Sequence, residues 1–185
     1  MADQDEEARV QWRHADPRAW RYCPLCREEL TDHPWDGKVR RYCLHCGFVY
    51  WERPLPATAA IIREAPDVGR VVLVKRRYPP KVGRWTFPGG GVEAGESVEQ
   101  GMIREAREET GLAIQLDWEI GTWSTPSFET IITFYAAHPV GGQLQAGTDA
   151  EDAEWFDLDR MPELAFSTHR DAFIRYLNRH EKWEK

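Results

Sequence analysis

Glu105, Glu108 and Glu109 stand at i, i+3 and i+4, a spacing that puts three carboxylates on one helix face with Cβ atoms about 5 to 6 Å apart. Like charges that close destabilise a helix unless they are solvated or share a cation. Hard oxygen donors gathered in this way suit Mg²⁺ or Mn²⁺, which take a few carboxylates, waters and substrate phosphate oxygens. Taken alone, the triplet reads first as a solvated acidic face, since charged helix faces are common. A second donor set lies upstream, where Cys23-x2-Cys26 and Cys43-x2-Cys46 are separated by 16 residues and account for all 4 cysteines. Two CxxC knuckles at this separation predict a four-thiolate zinc site, structural because no coordination position stays open. The competing reading is a redox pair, but no βαβ pattern surrounds the cysteines.

The triplet needs a helix, and the flanking residues supply one. Ser97 and Gln100 form a capping box, and Gly111 is a left-handed stop, so the helix is expected over Ser97 to Thr110. Ahead of it, Pro88-Gly89-Gly90-Gly91 reads as a glycine loop whose backbone can approach phosphate or metal. Gly101 inside the helix is expected to mark tight packing against a sheet. Strands are predicted at Ala57 to Ile62 and Val71 to Arg77, with turn formers Pro66, Asp67 and Gly69 between them. Further strands are expected at Trp85 to Phe87, Ile114 to Trp118, Thr130 to Ala137 and Glu154 to Leu158. A closing helix over about Thr168 to Arg179 turns Ala172, Phe173, Tyr176 and Leu177 to one face.

This organisation predicts an acidic arm over residues 1 to 20, a zinc ribbon over 21 to 53, a stiff Pro54-Leu55-Pro56 linker, and an α/β domain over 57 to 182. The arm carries 5 acidic and 3 basic side chains, with Trp12 and Trp20 as its anchors. A length of 185 residues fits one core of ordinary size plus a satellite, and 42% hydrophobic content is globular. The net charge of −7 argues against nucleic acid as a partner and for a small ligand. The ribbon holds 6 Lys/Arg against 5 Asp/Glu, a balance of +1 and no basic patch, which favours packing or homodimer formation. No apolar run reaches membrane-spanning length, the N-terminus is acidic, and no cysteine is left to staple the larger domain. A cytoplasmic protein is the expectation.

From Gly90 to Leu112 the residues satisfy G-x5-E-x7-R-E-U-x-E-E-x-G-U, where U is bulky and apolar. The matching positions are Gly90, Glu96, Arg104, Glu105, Ala106, Glu108, Glu109, Gly111 and Leu112. Ala106 is small for its position. At average residue usage nine such matches arise by chance in a chain of this length with probability on the order of 10⁻⁷. The pattern resembles the signature of the Nudix hydrolases, and Trp85 to Gly90 and Glu93 to Glu96 resemble that family's approach to its box. The resemblance implies an α/β/α sandwich around a mixed sheet, with Glu105, Glu108 and Glu109 as Mg²⁺ or Mn²⁺ ligands and Arg104 orienting carboxylates through an ion pair with Glu96. It also implies a general base that is either a box glutamate or an acid on a later loop, here Asp149, Glu151 or Asp152, of which Asp149 is preferred. Gly89, Gly90, Gly91, Arg77 and Trp85 are the expected substrate contacts. Lys75 and Arg77 share a strand face by alternation and could meet phosphate. Trp51, Phe128, Tyr135 and Phe166 join Trp85 as candidate purine platforms.

A ribbon joined to such a domain resembles NADH pyrophosphatases and a ribbon-bearing group that cleaves ADP-ribose or FAD. The Ser-Gln-Pro-Trp-Pro-Phe-Pro element of the first is absent from Gly121 to Phe128, whereas Leu164 to Thr168 resembles the second. The expected activity is hydrolysis of a nucleoside diphosphate linked to another group, of ADP-ribose or FAD type. Cleavage of NADH or nucleoside triphosphates is the alternative within the same chemistry, and a non-catalytic nucleotide-sensing module the alternative outside it.

Overall fold

The computed structural model describes residues 20–65, 68–125 and 130–180. Trp12, Pro66, Asp67 and Phe128 lie outside these residues. The chain separates between Arg53 and Pro54 into two compact units.

In the first unit, β1 (Thr31–Trp35) and β2 (Lys38–Tyr42) form an antiparallel hairpin. Its turn places Asp36 and Gly37 at positive φ, 47° and 76°, the handedness a tight hairpin requires. The knuckles flank it. Arg27 and Gly47 each donate an amide back to the first cysteine of their own knuckle, at 2.9 Å. The buried apolar set is small: Cys23, Leu30 and Cys43, backed by Trp20, Cys26 and Phe48.

In the second unit the spatial strand order is β5-β4-β3-β8-β7, with β6 beside β3 and β9 beside β4. The strands are β3 (Leu55–Ala65), β4 (Val68–Arg76), β5 (Trp85–Thr86), β6 (Gly89–Gly91), β7 (Leu112–Thr125), β8 (Thr130–Gly142) and β9 (Ala150–Asp157). The β3–β8 pair is parallel and the other pairs are antiparallel, so the sheet is mixed as expected. Alternation along β3 builds two cores. Ala60 and Ile62 pack with Met102 and Ala106 of α1 (Val98–Thr110), while Ala59 and Ile61 face the side of Ala172 and Tyr176 on α2 (Ser167–His180). One helix therefore covers each face, which is the α/β/α sandwich.

The boundaries depart from expectation where tertiary pairing outweighs local composition. Leu55 and Pro56, read as linker, begin β3 and pair with Thr130 and Ile131; proline's fixed φ suits extended backbone. Gly89 to Gly91, read as a loop, is a strand in register with Ala59, Thr58 and Ala57. Arg77 falls one residue beyond β4 and is exposed, not on a strand face with Lys75. Gly101 is buried against the Glu96 carboxylate and Val92, so its neighbour is the preceding loop and not the sheet.

Candidate active site and metal centre

Helix α1 starts and stops as its sequence dictates. Ser97 Oγ accepts from the Gln100 amide, the Ser97 amide donates to Gln100 Oε1, and Gly111 sits at φ 70° donating to the Arg107 carbonyl. Tyr135 of β8 donates its hydroxyl to Glu99 at 3.1 Å, tying the first turn to the sheet. The helix thus presents Arg104, Glu105, Glu108 and Glu109 from a fixed cylinder.

The three glycines of β6 meet this helix in succession. The Gly89 amide donates to Glu109 Oε2 at 2.8 Å, and the Gly91 carbonyl accepts from Arg104 Nη2 at 2.8 Å. Between them, a Cβ on Gly90 would lie 2.5 Å from the Glu105 carboxylate, so any side chain there displaces Glu105. These glycines hold the carboxylates in place.

Arg104 is the hub of the charges. Its Nε and Nη2 grip Glu96 at 3.1 and 2.7 Å, and its Nη1 reaches Glu105 at 2.8 Å and Glu108 at 2.9 Å. The planar fork suits this bidentate grip in a way that a lysine would not. The Arg104 guanidinium holds the Glu96 carboxyl below the usual range. Glu105 goes the other way: desolvation pushes its pKa up, and Arg104 only partly offsets this. Glu109 is raised to about 8, first by burial, with the Gly89 amide and Arg76 opposing and the charges of Glu105 and Asp149 adding. Carboxylates crowded where their charges are disfavoured have the donor chemistry that a hard dication satisfies.

Asp149 enters through a strap over the C-terminal end of α1. The Gln145 amide donates to the Thr110 carbonyl at 2.9 Å and the Gly147 amide to the Glu109 carbonyl at 3.1 Å, capping carbonyls that the helix leaves open. A Cβ on Gly147 would collide with the Glu108 carbonyl, so only glycine lets the strap lie this close. Asp149 follows in an exposed turn immediately before β9. Of the rival acids, Glu151 is engaged by Lys75 at 2.7 Å, and Asp152 accepts the amide of Ala153. Lys75 therefore meets a carboxylate.

The structure puts other expected contacts elsewhere. Trp85 stacks edge-to-face on Phe156 at 4.7 Å and its carbonyl accepts from Ala165, so it belongs to the core. Tyr135 is buried in the opposite core. Trp51 lies in the ribbon unit. Phe166 carries the Arg76 guanidinium over its ring at 5.2 Å.

Arg76, Gly147 and His169 are the positions that sequence reasoning missed. Arg76 donates to the carbonyls of Tyr78, Pro79 and Pro80, and its charge reaches both Glu109 and His169. His169 Nδ1 accepts from the Phe87 amide at 3.3 Å and lies 2.9 Å from Thr86 Oγ1, which fixes the proton on Nε2. Burial drives its pKa down to about 3, so it stays neutral and positions the segment that leads into Pro88 and Gly89. Its spacing from Ala172 and Tyr176 on one helix face was the available signal.

In the ribbon unit the four sulfur atoms lie within 4.8 Å of one another, with Cys23–Cys46 at 3.6 Å and Cys26–Cys43 at 3.4 Å. Tetrahedral Zn–S bonds of 2.3 Å would place sulfurs about 3.8 Å apart, so the cage fits a zinc ion. Burial opposes ionisation of Cys23, but the amides of Cys26 and Leu25 and the neighbouring sulfurs bring it down to about 7. Cys26 is pushed up to about 12: the Glu28 amide favours its thiolate, but burial and the other sulfurs outweigh that. One thiolate discourages the next unless a cation joins them.

A family model, the NUDIX domain, matches residues 53–177. The chain belongs to the Nudix family. An ADP-ribose pyrophosphatase of Methanocaldococcus jannaschii is 41% identical over 115 residues, covering 59% of this chain and 68% of that protein. The NAD-capped RNA hydrolase NudC of Stutzerimonas stutzeri is 30% identical over 158 residues, 85% of this chain, and this Nudix chain spans only 54% of that relative's length. The crystal structure of a NUDIX hydrolase from Nitrosomonas europaea has the same fold, with TM-score 0.80 at 24% identity over 88% of this chain and 93% of that one. Like these relatives, the protein is a hydrolase of the Nudix type, an enzyme class that acts on nucleotide pyrophosphate bonds with divalent metals. Among the described residues, no helix is long and apolar enough to cross a membrane.

The raised pKa of Glu109 has a measurable consequence. A carboxyl whose folded pKa is about 8 against an ordinary 4.5 favours the fold when protonated, and that stability is lost as pH rises through the interval. A cation held by Glu109 would restore it at high pH only. The melting temperature gained on adding Mg²⁺ is therefore expected to be small at pH 5 and to grow toward pH 8. A gain independent of pH would refute the link.

Proposed function

We propose that the enzyme hydrolyses the diphosphate link of an ADP-linked substrate of ADP-ribose type, with FAD second, and that NADH and nucleoside triphosphates are poorer. The observation that carries the chemistry is the gathering of Glu105, Glu108, Glu109, Arg104 and Asp149 where β6, α1 and the strap meet. Glu105, Glu108 and Glu109 would hold Mg²⁺ or Mn²⁺, which when bound neutralises the diphosphate and makes a coordinated water acidic. Arg104 keeps Glu105 and Glu108 aimed, and Gly89 keeps Glu109 aimed, so little reorganisation remains when the substrate arrives. Asp149, exposed and close enough to feel both half-buried glutamates, takes the proton of the attacking water. The four cysteines hold one Zn²⁺ that only supports the ribbon.

The substrate reading rests on the ADP-ribose pyrophosphatase relative and on residues Gly121 to Phe128, which lack the Ser-Gln-Pro-Trp-Pro-Phe-Pro element. With Mg²⁺ or Mn²⁺, kcat/KM is expected to be at least about tenfold higher for ADP-ribose than for NADH, a difference of 1.4 kcal/mol in transition-state binding. NADH cleaved as well as ADP-ribose would overturn that preference. Binding of ADP-ribose with no turnover of any nucleotide would replace the enzyme by a nucleotide-sensing module.

A further inference from the structure

Cross-strand partners in an antiparallel hairpin share a face, so one face of the ribbon hairpin carries Thr31, His33 and Trp35 from β1 with Lys38, Arg40 and Tyr42 from β2. None of the six is acidic. Asp32 belongs to the other face, paired with Arg41 at 2.8 Å, and Glu29 pairs with Arg21. The ribbon's near-neutral balance therefore conceals a face whose only formal charges are positive.

The same face is aromatic. His33 and Tyr42 rings lie 5.2 Å apart, Trp35 is 6.3 Å from Tyr42 and 6.1 Å from Trp51, and the Arg40 guanidinium stacks 4.5 Å over Trp51. Trp35 and Trp51 nonetheless remain 39% and 41% exposed. Arg40 Nε is buried with no hydrogen-bond partner among the described residues. Exposed aliphatic side chains, which an apolar protein contact would use, lie off this face: Val39 pairs with Pro34 on the reverse, and Leu25 and Leu44 sit in the knuckles.

We propose that this face binds a single-stranded polynucleotide, with bases stacked on Trp35 and Trp51 and phosphates held by Lys38 and Arg40. Every base offers a π-face, so indoles beside cations bind single strands with little regard to sequence. The cations add an electrostatic component that salt weakens. This site is separate from the hydrolase reading and stands or falls without it.

The test is fluorescence anisotropy of the full-length, zinc-loaded protein with a labelled 12-nucleotide oligo(U) RNA. Saturable binding that weakens with added salt and quenches tryptophan emission is expected. Trp35→Ala and Arg40→Ala should each weaken it about tenfold, while Trp35→Phe keeps most of it. Zinc content, melting temperature and turnover of small nucleotides should not change. Absence of saturable binding, or affinity unchanged in both alanine variants, would overturn the proposal. So would loss of self-association, and not of RNA binding, in those variants, which would make the face a contact for a second copy of this chain.

Discussion

Glu109→Gln is expected to lower kcat by about two to four orders of magnitude while leaving the protein as stable as before, or more so when metal-free at pH 8. The two effects have one origin. Glu109 packs beneath β6 with the Gly89 amide on its Oε2 at 2.8 Å, and desolvation raises its pKa to about 8. A glutamine oxygen still accepts that amide, so the local fold survives. What disappears is the negative charge, which costs stability when no cation is bound and, on the proposed role, would be a ligand when one is. Steady-state kinetics at saturating Mg²⁺ and melting curves at pH 8 with and without Mg²⁺ read both effects. A kcat within threefold of the parent would remove Glu109 from the metal site, and a large fall in melting temperature would show that its role is structural.

Cys43→Ser is the second large effect, and it falls on the ribbon. Among the described residues of that unit, Cys43 and Cys23 are two of only three buried apolar ones, Leu30 being the third. A module with so small a core cannot offset its chain entropy by burial alone. A structural zinc supplies about 10 to 16 kcal/mol of apparent binding energy that is also folding energy. Serine is a poor ligand in a thiolate cage, so the variant should lose its single zinc. Trypsin should then cut at Arg21, Arg27, Lys38, Arg40 or Arg41 roughly a hundredfold faster than in the parent. Metal analysis and timed digestion measure these. A variant that keeps about one zinc per chain and resists trypsin as the parent does would refute the four-sulfur site.

The legible parts of this protein are those in which short-range spacing dictates geometry. A capping box and a left-handed glycine bound α1, and helical periodicity then places three glutamates and Arg104 on one side without further information. The grip of Arg104 on Glu96 follows the same register. CxxC spacing brings four sulfurs together for a similar reason: each knuckle is a local turn and one hairpin joins them. The illegible parts depend on partners distant in sequence. Gly89 to Gly91 has no strand propensity and is a strand because β3 offers it a ladder. The strap that brings in Asp149 is held by amides donated to the carbonyls of Thr110 and Glu109, and no side-chain pattern records such bonds. Lys75 and Arg77 look equivalent by alternation, yet β4 ends between them and Arg76 turns its charge toward Glu109. The ribbon's net charge hides a detail for the same reason: a sum over residues does not show that the carboxylates sit off one hairpin face.

The reaction proposed for this enzyme is a metal-dependent cleavage of a diphosphate link. Product analysis of ADP-ribose incubated with the purified enzyme tests it most directly, with Mg²⁺ present in one reaction and absent from the other. AMP and ribose 5-phosphate in equal amounts, formed only with Mg²⁺ and lost in Glu109→Gln, are the predicted result. Intact ADP-ribose under both conditions, with FAD, NADH, dinucleoside polyphosphates and nucleoside triphosphates equally untouched, would contradict it.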